Sequence, residues 1–395
     1  MQISDLVAGI APSPTIAGAT KAKAMQAAGL DVRSFAVGEP DFGTPQNIID
    51  AAQRAMAAQK TKYTPASGIP ELKKAICAAQ ERDLGLSYEP NQVVISNGGK
   101  HALMNIWRTL LNPGDEVIMF APYWVSYPEQ VRLCGAKTVA IVTSGDNGFQ
   151  PDLGQVAAAI TPKTKAILIN SPSNPSGAVF DRKTMEGLGE LACKHDLTII
   201  SDEIYKHILY DGRTHLSTAM FSDELKERTI IADGVAKTYA MTGWRIGWLI
   251  APPTFAKAAD NLQSQETSNA NSIAQWASVE ALNGPQDSVR EMREAFNKRR
   301  DYLVPALCEI DGVKCAKPGG AFYVFPDISA HLGRKIGDRQ INTSLDMELY
   351  LIEEALIATV AGGPFGTEGY IRLSFACSME DIEEGVRRLK AALAR

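Results

Sequence analysis

The sequence predicts an α/β protein in which a mainly parallel, seven-stranded sheet is covered by helices, together with a smaller α+β domain. Seven short apolar runs follow one another between residues 93 and 251, and helical segments separate several of them. Continuous apolar strands that alternate with helices are typical of a parallel sheet buried on both faces. Beyond residue 252 the pattern becomes mainly helical, which indicates the second domain.

Each element has a local signal in the sequence. The predicted sheet strands are 93–96, 117–121, 138–142, 166–170, 197–201, 229–232 and 246–251. Helices are expected at 20–28, from Thr44-Pro45 (N-cap and first position), 70–85, 100–111, 153–160, 183–195, 254–265, 272–283, 286–310 and 344–359. A last helix should begin at Ser378, whose hydroxyl precedes Asp381 as in a capping box. Short strands are expected at 32–37, 313–316, 321–325 and 370–375, with a loop at 329–342.

Composition narrows the class of protein. The chain has 395 residues, 45% of them hydrophobic, and a net charge of −5 without a long basic run, which argues against nucleic-acid binding. We find no signal peptide and no apolar run long enough to span a membrane, and we therefore expect a cytoplasmic protein. The six cysteines and five histidines show no metal-binding spacing, so no metal site is expected and the cysteines should be reduced core residues.

The most informative segment is 234–248, which connects two predicted strands and contains Lys237 and Arg245. In one interpretation both cations lie in a solvated loop. In the other, Lys237 is a desolvated amine that forms a Schiff base, and Arg245 binds a phosphate. A lysine that loses its proton next to another cation becomes a nucleophile.

Other chemically distinctive residues follow predicted strands, where ligands bind in parallel sheets. Gly99 and Lys100 begin a predicted helix after a Gly-rich turn. Such a helix start can bind an anion, but a Gly-Gly sequence is also common in turns without a ligand. Trp124 follows the second strand and could equally be core. Asp202 ends a buried strand, where a carboxylate is either a structural partner or part of a site. Arg372 lies inside an apolar strand, either in an ion pair or available to an anion.

The pattern Lys-x-x-x-Met-Thr-Gly-Trp-Arg-x-Gly, which begins at Lys237, resembles the cofactor-lysine segment of class I aminotransferases. These are pyridoxal-phosphate (PLP) enzymes of the aspartate aminotransferase fold, and the resemblance runs from about residue 12 to the C-terminus. It is strongest to the bacterial aspartate and aspartate/prephenate branch. It implies the PLP-dependent transferase fold, with a large domain at 46–284 and a small domain built from 1–45 and 285–395.

The resemblance also implies a role for each candidate residue. Lys237 would hold PLP as a Schiff base and act as the general base, Asp202 would face the pyridine nitrogen, and Tyr205 and Asn174 would bind the phenolic oxygen. Gly99, Lys100 and Arg245 would surround the phosphate, with Trp124 against the ring. Tyr63 would reach the phosphate of a neighbouring subunit, which implies a homodimer. Substrate would contact Gly38, Lys100, Trp124, Asn174 and Arg372, with Arg372 binding the α-carboxylate.

Two positions depart from the family pattern. Ala236 stands where a serine usually binds the phosphate, and Ala11 stands where a lysine often binds a second carboxylate. The expected reaction is transfer of an amino group from an L-amino acid, with aspartate favoured, to a 2-oxo acid, with 2-oxoglutarate favoured.

Several alternatives remain open. They are an aminotransferase for aromatic or other amino acids, a PLP-dependent β-lyase or decarboxylase, and a non-enzymatic regulator, for whose DNA-binding domain there is no room before residue 12. A nucleotide-dependent dehydrogenase is disfavoured because the chain lacks G-x-G-x-x-G.

Overall fold

A computed structural model describes residues 2–10, 12–336 and 338–394. Its centre is a sheet of seven strands, as predicted, and each strand lies within two residues of its expected position. The strands are Val93–Ser96, Glu116–Ala121, Lys137–Val142, Thr164–Asn170, Thr198–Asp202, Thr229–Gly234 and Gly247–Ile250.

The sheet is mainly parallel, with one reversed strand. Its strands lie side by side in the order 93–96, 247–250, 229–234, 198–202, 164–170, 116–121 and 137–142. Gly247–Ile250 runs antiparallel to both of its neighbours. The reversal follows from the connection 235–246, which contains no crossover helix, whereas a parallel connection needs one. Lys237 and Arg245 therefore remain at the edge of the sheet where the parallel strands end.

Helices cover both faces of this sheet. Gly99–Leu110 buries Leu103 and Ile106 against one face, and Arg182–Lys194 buries Met185 and Leu188 against the other. Residues three and four positions apart share a helix face, so each helix presents one apolar stripe to the sheet. The other helices of this region are Gln46–Ala57, Pro70–Leu84, Ser126–Leu133, Leu153–Ala159, Asp223–Arg228, Pro253–Glu266 and Ser272–Asn283.

A second group of elements forms its own apolar core beside the central sheet. Its antiparallel sheet contains Val360–Ala361, Ile371–Ser374 and Tyr323–Val324. Arg33–Ser34 pairs with Ile357–Ala358, and Arg334–Ile336 pairs with Arg339–Ile341. The helices here are Asp5–Ala8, Pro14–Ala27, Asp287–Cys308, Ser344–Glu354 and Met379–Leu393. The domain limits 1–45, 46–284 and 285–395 remain a prediction.

Several element predictions were wrong in detail. The helix expected to begin at Thr20 already begins at Pro14, and the helix expected to reach residue 359 ends at Glu354. The helix that ends at Glu354 stops short of residue 359 because Ile357–Ala358 pairs as a strand with Arg33–Ser34. The segment 313–316 forms only an isolated bridge, between Lys314 and Asp327.

Other local expectations also failed. The helix expected from Thr44 has Pro45 as its N-cap, while the Thr44 hydroxyl instead donates to the Ala240 carbonyl. The loop expected at 329–342 contains a strand pair. Cys308 is exposed rather than in the core. Within the described residues, every helix is too short or too polar to cross a bilayer.

The start of strand Gly247–Ile250 packs directly on the backbone at Gly98 and Gly99, and a Cβ on Gly247 would collide with it. We expect Gly247→Ala to lower the free energy of unfolding by about 1–3 kcal/mol, the usual cost of overpacking. Chemical denaturation measures this loss. Gly43→Ala is the matched control because nothing lies within 4 Å of its added methyl group, and an equal effect of both changes would contradict the packing argument.

Candidate active site

A cleft of about 640 Å³ lies where the parallel strands end, and it gathers the predicted site residues. All of them except Tyr63 line it: Gly38, Gly99, Lys100, Trp124, Asn174, Asp202, Tyr205, Lys237, Arg245 and Arg372. Tyr63 is 92% exposed and lies outside the cleft of its own chain. Ala236 also lines the cleft, whereas Ala11 is outside the described residues.

Lys237 projects from the connection 235–246 into this cleft. Its ammonium Nζ donates a hydrogen bond to the Gly38 carbonyl at 2.5 Å. Burial, together with the charges of Arg372 and Arg245, lowers the pKa of Lys237 to about 8 against the opposing effects of Glu39 and Asp202. Roughly a tenth of the side chain is therefore a neutral, nucleophilic amine at pH 7, far more than for an ordinary lysine.

Asp202 ends strand Thr198–Asp202 and is buried at the base of the cleft. Its Oδ2 accepts a hydrogen bond from the Tyr127 hydroxyl at 2.6 Å, and its Oδ1 accepts one from the backbone N–H of Ile204 at 3.3 Å. Burial raises the pKa of this carboxyl to about 6 although both bonds favour the charged form. A cationic group placed beside it would stabilise the carboxylate.

Arg372 is a buried cation, only 1% exposed, whose hydrogen bonds go to neutral groups. Its Nη atoms donate to Asn174 Oδ1 at 3.0 Å and to the Ala36 carbonyl at 2.8 Å, while its buried Nε has no hydrogen-bond partner among the described residues. No carboxylate in the described part of the chain lies within 4.0 Å of the guanidinium. Its planar group lies over the Tyr323 ring, 4.6 Å from the centroid. This cation is suited to an anionic ligand.

A second anion-binding feature lies at the start of helix Gly99–Leu110. Gly98 is its N-cap, without a capping side chain, and it has φ +91°. A Cβ on Gly98 would lie 2.5 Å from an Arg245 nitrogen, so only glycine lets this guanidinium approach the helix end. Free backbone N–H groups, the helix dipole and Arg245 together favour a phosphate at this end of the cleft.

Lys100 and Trp124 lie on one wall of the cleft. The Lys100 ammonium lies 4.9 Å from the centre of the Trp124 ring. Partial burial lowers the pKa of Lys100, and the neighbouring charge of Arg245 adds to this effect. Trp124 in turn packs edge-on against Tyr127, with 5.3 Å between the ring centres.

The sequence did not identify two tyrosines of the site. Tyr127 holds Asp202, and Tyr323 packs on Arg372 while sharing a hydrogen bond of 2.9 Å with the Tyr205 hydroxyl. Tyr127 lies in the unpredicted helix Ser126–Leu133, and Tyr323 lies in a strand that suggested only core. Their contacts are between residues distant in sequence, so no local signal could have revealed them.

The fold and the cleft together define an enzyme site with a nucleophilic lysine, a buried carboxylate and two separate positions for anions. Comparison with known proteins agrees with this description. The model of the family "Aminotransferase class I and II" matches residues 31–389. The aspartate aminotransferase of Bacillus subtilis is 45% identical over 390 residues, which are 99% of this chain and 98% of that protein.

Further relatives give the same result. The aspartate/prephenate aminotransferase of Cereibacter sphaeroides is 45% identical, covering 99% of this chain and 98% of that protein. The solved structure of Thermus thermophilus aspartate aminotransferase with maleate has a TM-score of 0.94 and 41% identity. That match covers 99% of this chain and 100% of the other.

The chain belongs to the class I and II aminotransferases, and it is a PLP-dependent enzyme. The residues present fit this cofactor. Arg245 and the uncapped helix end match its phosphate, while the raised pKa of Asp202 suits a carboxylate that awaits a cationic ring nitrogen. Lys237 supplies the amine that an aldehyde requires.

The lowered pKa of Lys237 predicts how the stability of the cofactor-free protein depends on pH. Between about pH 8 and 10.5 the unfolded chain holds a proton on this lysine that the folded protein has released, so wild-type stability gains with rising pH there. Lys237→Met removes this contribution. We expect the stability of the wild type relative to the variant, measured by denaturant unfolding, to increase from pH 8 towards 10. A constant difference across that range would contradict the pKa shift.

Proposed function

We propose that this aminotransferase transfers the amino group of L-aspartate to 2-oxoglutarate. The observation that carries the proposal is the buried Arg372, free of carboxylate partners in the described chain, in the same cleft as Lys237 and Asp202. A cation buried in this way is costly unless an anion joins it. The curated relatives named aspartate aminotransferase, at 45% identity over nearly the whole chain, support the choice of donor.

Arg372 binds and orients the amino acid. Its guanidinium binds the α-carboxylate, and the unpaired Nε and the planar group favour a two-pronged contact. Asn174 and Tyr323 hold this guanidinium in place before substrate arrives. Orientation by a fixed group lowers the entropy cost of the reaction.

Lys237 transfers the proton of the substrate Cα. When bound, PLP supplies an aldehyde that bonds to nitrogen and a ring that withdraws electrons from the substrate Cα. The neutral Lys237 amine would take the proton from the substrate Cα and return it to the cofactor's former aldehyde carbon on the other side of the amino nitrogen, since one flexible side chain can reach both carbons. Asp202, held by Tyr127, contributes the negative charge that keeps the ring nitrogen protonated.

Lys100 supplies a cation for the distal carboxylate of a dicarboxylic substrate. It lines the cleft and has no acidic partner within 4.0 Å in the described residues. An ammonium group without an acidic partner attracts a second carboxylate. This attraction selects aspartate and glutamate over amino acids with neutral side chains.

Closure and assembly complete the proposed site. Gly38 and Arg372 belong to the proposed small domain (1–45 and 285–395), so substrate bound to Arg372 draws that domain over the cofactor and excludes water. We propose a cytoplasmic homodimer in which Tyr63, exposed in the single chain, reaches the cofactor phosphate of the other subunit.

Removal of Arg372, the proposed partner of the substrate α-carboxylate, should lower the turnover of all amino acids alike. We expect Arg372→Met to reduce kcat/KM for aspartate by about 30-fold to 1,000-fold, as for truncation of one partner in a buried charged pair. Steady-state kinetics with 2-oxoglutarate measures this loss. Arg387→Met is the control, because Arg387 lies on the exposed face of helix Met379–Leu393 and, among the described residues, pairs only with Glu384. Unchanged kinetics in Arg372→Met would refute the assignment.

A mixture of two inactive variants tests the shared site. Lys237→Ala lacks the base, and Tyr63→Ala lacks the proposed contact to the other subunit. If Tyr63 acts across the interface, each hybrid dimer has one intact site, which gives about a quarter of the wild-type sites in a 1:1 mixture. Activity of co-expressed variants at limiting PLP measures this recovery. An absence of recovery despite hybrid formation would mean that Tyr63 does not act in the other subunit.

A further inference from the structure

One face of helix Pro14–Ala27 forms part of the mouth of the cleft. Ile16, Ala19, Thr20 and Lys23 all line the cleft. Their separations of three, four and seven residues place them on a single helix face. Lys23 is exposed at the end of this stripe.

The other side of the same helix fixes it to the body of the protein. Ala22 is buried in an apolar cluster with Ala358 and Val360. Lys21 forms an ion pair of 2.6 Å with Glu353. The helix is therefore docked through the buried Ala22, while the exposed Lys21–Glu353 pair on the same side contributes little to stability. The face with Lys23 is left towards the cleft.

The charges around the cleft leave Lys23 without an internal partner. The cations that line the cleft are Lys23, Lys100, Lys237, Arg245 and Arg372, and the carboxylates that line it are Glu39 and Asp202. Both carboxylates already accept hydrogen bonds, Glu39 from Thr242 and Asp202 from Tyr127. Among the residues that the structure describes, no carboxylate lies within 4.0 Å of Lys23 and no aromatic ring lies beneath it. The cleft thus has five cations against two carboxylates, and Lys23 is one of the charges that remain available to an anionic ligand.

We propose that Lys23 is a specificity-determining residue that binds the distal carboxylate of dicarboxylic substrates together with Lys100. This inference rests on the proposed function and assigns a second cation to the same substrate group. The position matters because Ala11 lacks the cation expected from the start of the chain. Lys23 lies further along the chain, lines the mouth of the cleft and has a long flexible side chain.

The location of Lys23 also indicates when it acts. An exposed ammonium attracts a carboxylate weakly in open solvent, and the attraction grows as water is excluded. Lys23 therefore discriminates between dicarboxylic and monocarboxylic ligands without contributing to the proton transfer that Lys237 performs.

Binding by the holoenzyme tests this inference directly. Isothermal titration calorimetry would compare succinate, which has two carboxylates, with butyrate, which has one. Three variants are compared with wild type: Lys23→Met, which keeps length but removes charge, Lys23→Arg, which restores charge, and the matched control Lys21→Met on the docked side of the helix. Steady-state kinetics with aspartate and with alanine would accompany the titrations.

We expect Lys23→Met to weaken the binding of succinate about fivefold, which is the upper range for an exposed ion pair, and to raise the KM for aspartate by about the same factor. The affinity of Lys23→Met for butyrate and its kinetics with alanine should stay unchanged. Lys23→Arg should retain most of the succinate affinity, and Lys21→Met should bind succinate as the wild type does. Equal succinate affinity in Lys23→Met and wild type would overturn the assignment, as would an equal loss for butyrate. Failure of the wild type to use aspartate would instead refute the proposed function.

Discussion

The structure depends on Arg372, a buried cation that has no carboxylate within 4.0 Å among the described residues. Its direct hydrogen bonds go to neutral groups, its Nε has no hydrogen-bond partner within the described chain, and the carboxylate of Glu348 acts on it only from beyond 4.0 Å. Desolvation lowers the pKa of this guanidinium, which expresses the cost of keeping it out of water. Such an arrangement is unfavourable for the empty protein and favourable once an anionic substrate completes it.

A buried ion pair elsewhere in the protein shows the contrast. Lys206 and Asp233 are both buried and lie 2.7 Å apart, and Asp233 also accepts a hydrogen bond from the backbone N–H of Gly234. This pair joins the turn after strand Thr198–Asp202 to the end of strand Thr229–Gly234. It therefore fixes the end of the strand that carries Asp202 and the end of the strand that precedes the Lys237 connection. The protein neutralises charge where it needs rigidity and leaves charge available where a ligand binds.

The sequence predicted the central sheet well because each strand is a continuous apolar run, and burial on both faces leaves little ambiguity. It also predicted which residues line the cleft, since their segments follow strand ends and carry a long family pattern. It failed where pairing between distant segments decides the structure. Ile357–Ala358 is a strand only because Arg33–Ser34 lies beside it, and Tyr127 reaches Asp202 across 75 positions.

Lys23 illustrates the same limit at the site itself. In the sequence it is one lysine of a helix with little apolar periodicity, and only the docking of Ala22 and Lys21 shows which way that helix faces. The absence of a serine at position 236 was visible in sequence, but the phosphate end of the cleft retains Arg245 and an uncapped helix. We propose that the backbone N–H groups and the Arg245 guanidinium bind the phosphate without this serine.

The central claim is that the Lys237 amine, made nucleophilic by burial, bonds covalently to PLP. The most direct measurement is borohydride reduction of the purified, yellow holoenzyme followed by peptide mapping with mass spectrometry. The account predicts one pyridoxyl group per chain on the peptide that contains Lys237, and none after Lys237→Ala. A label on Lys100 or another lysine, or an unlabelled chain, would contradict it.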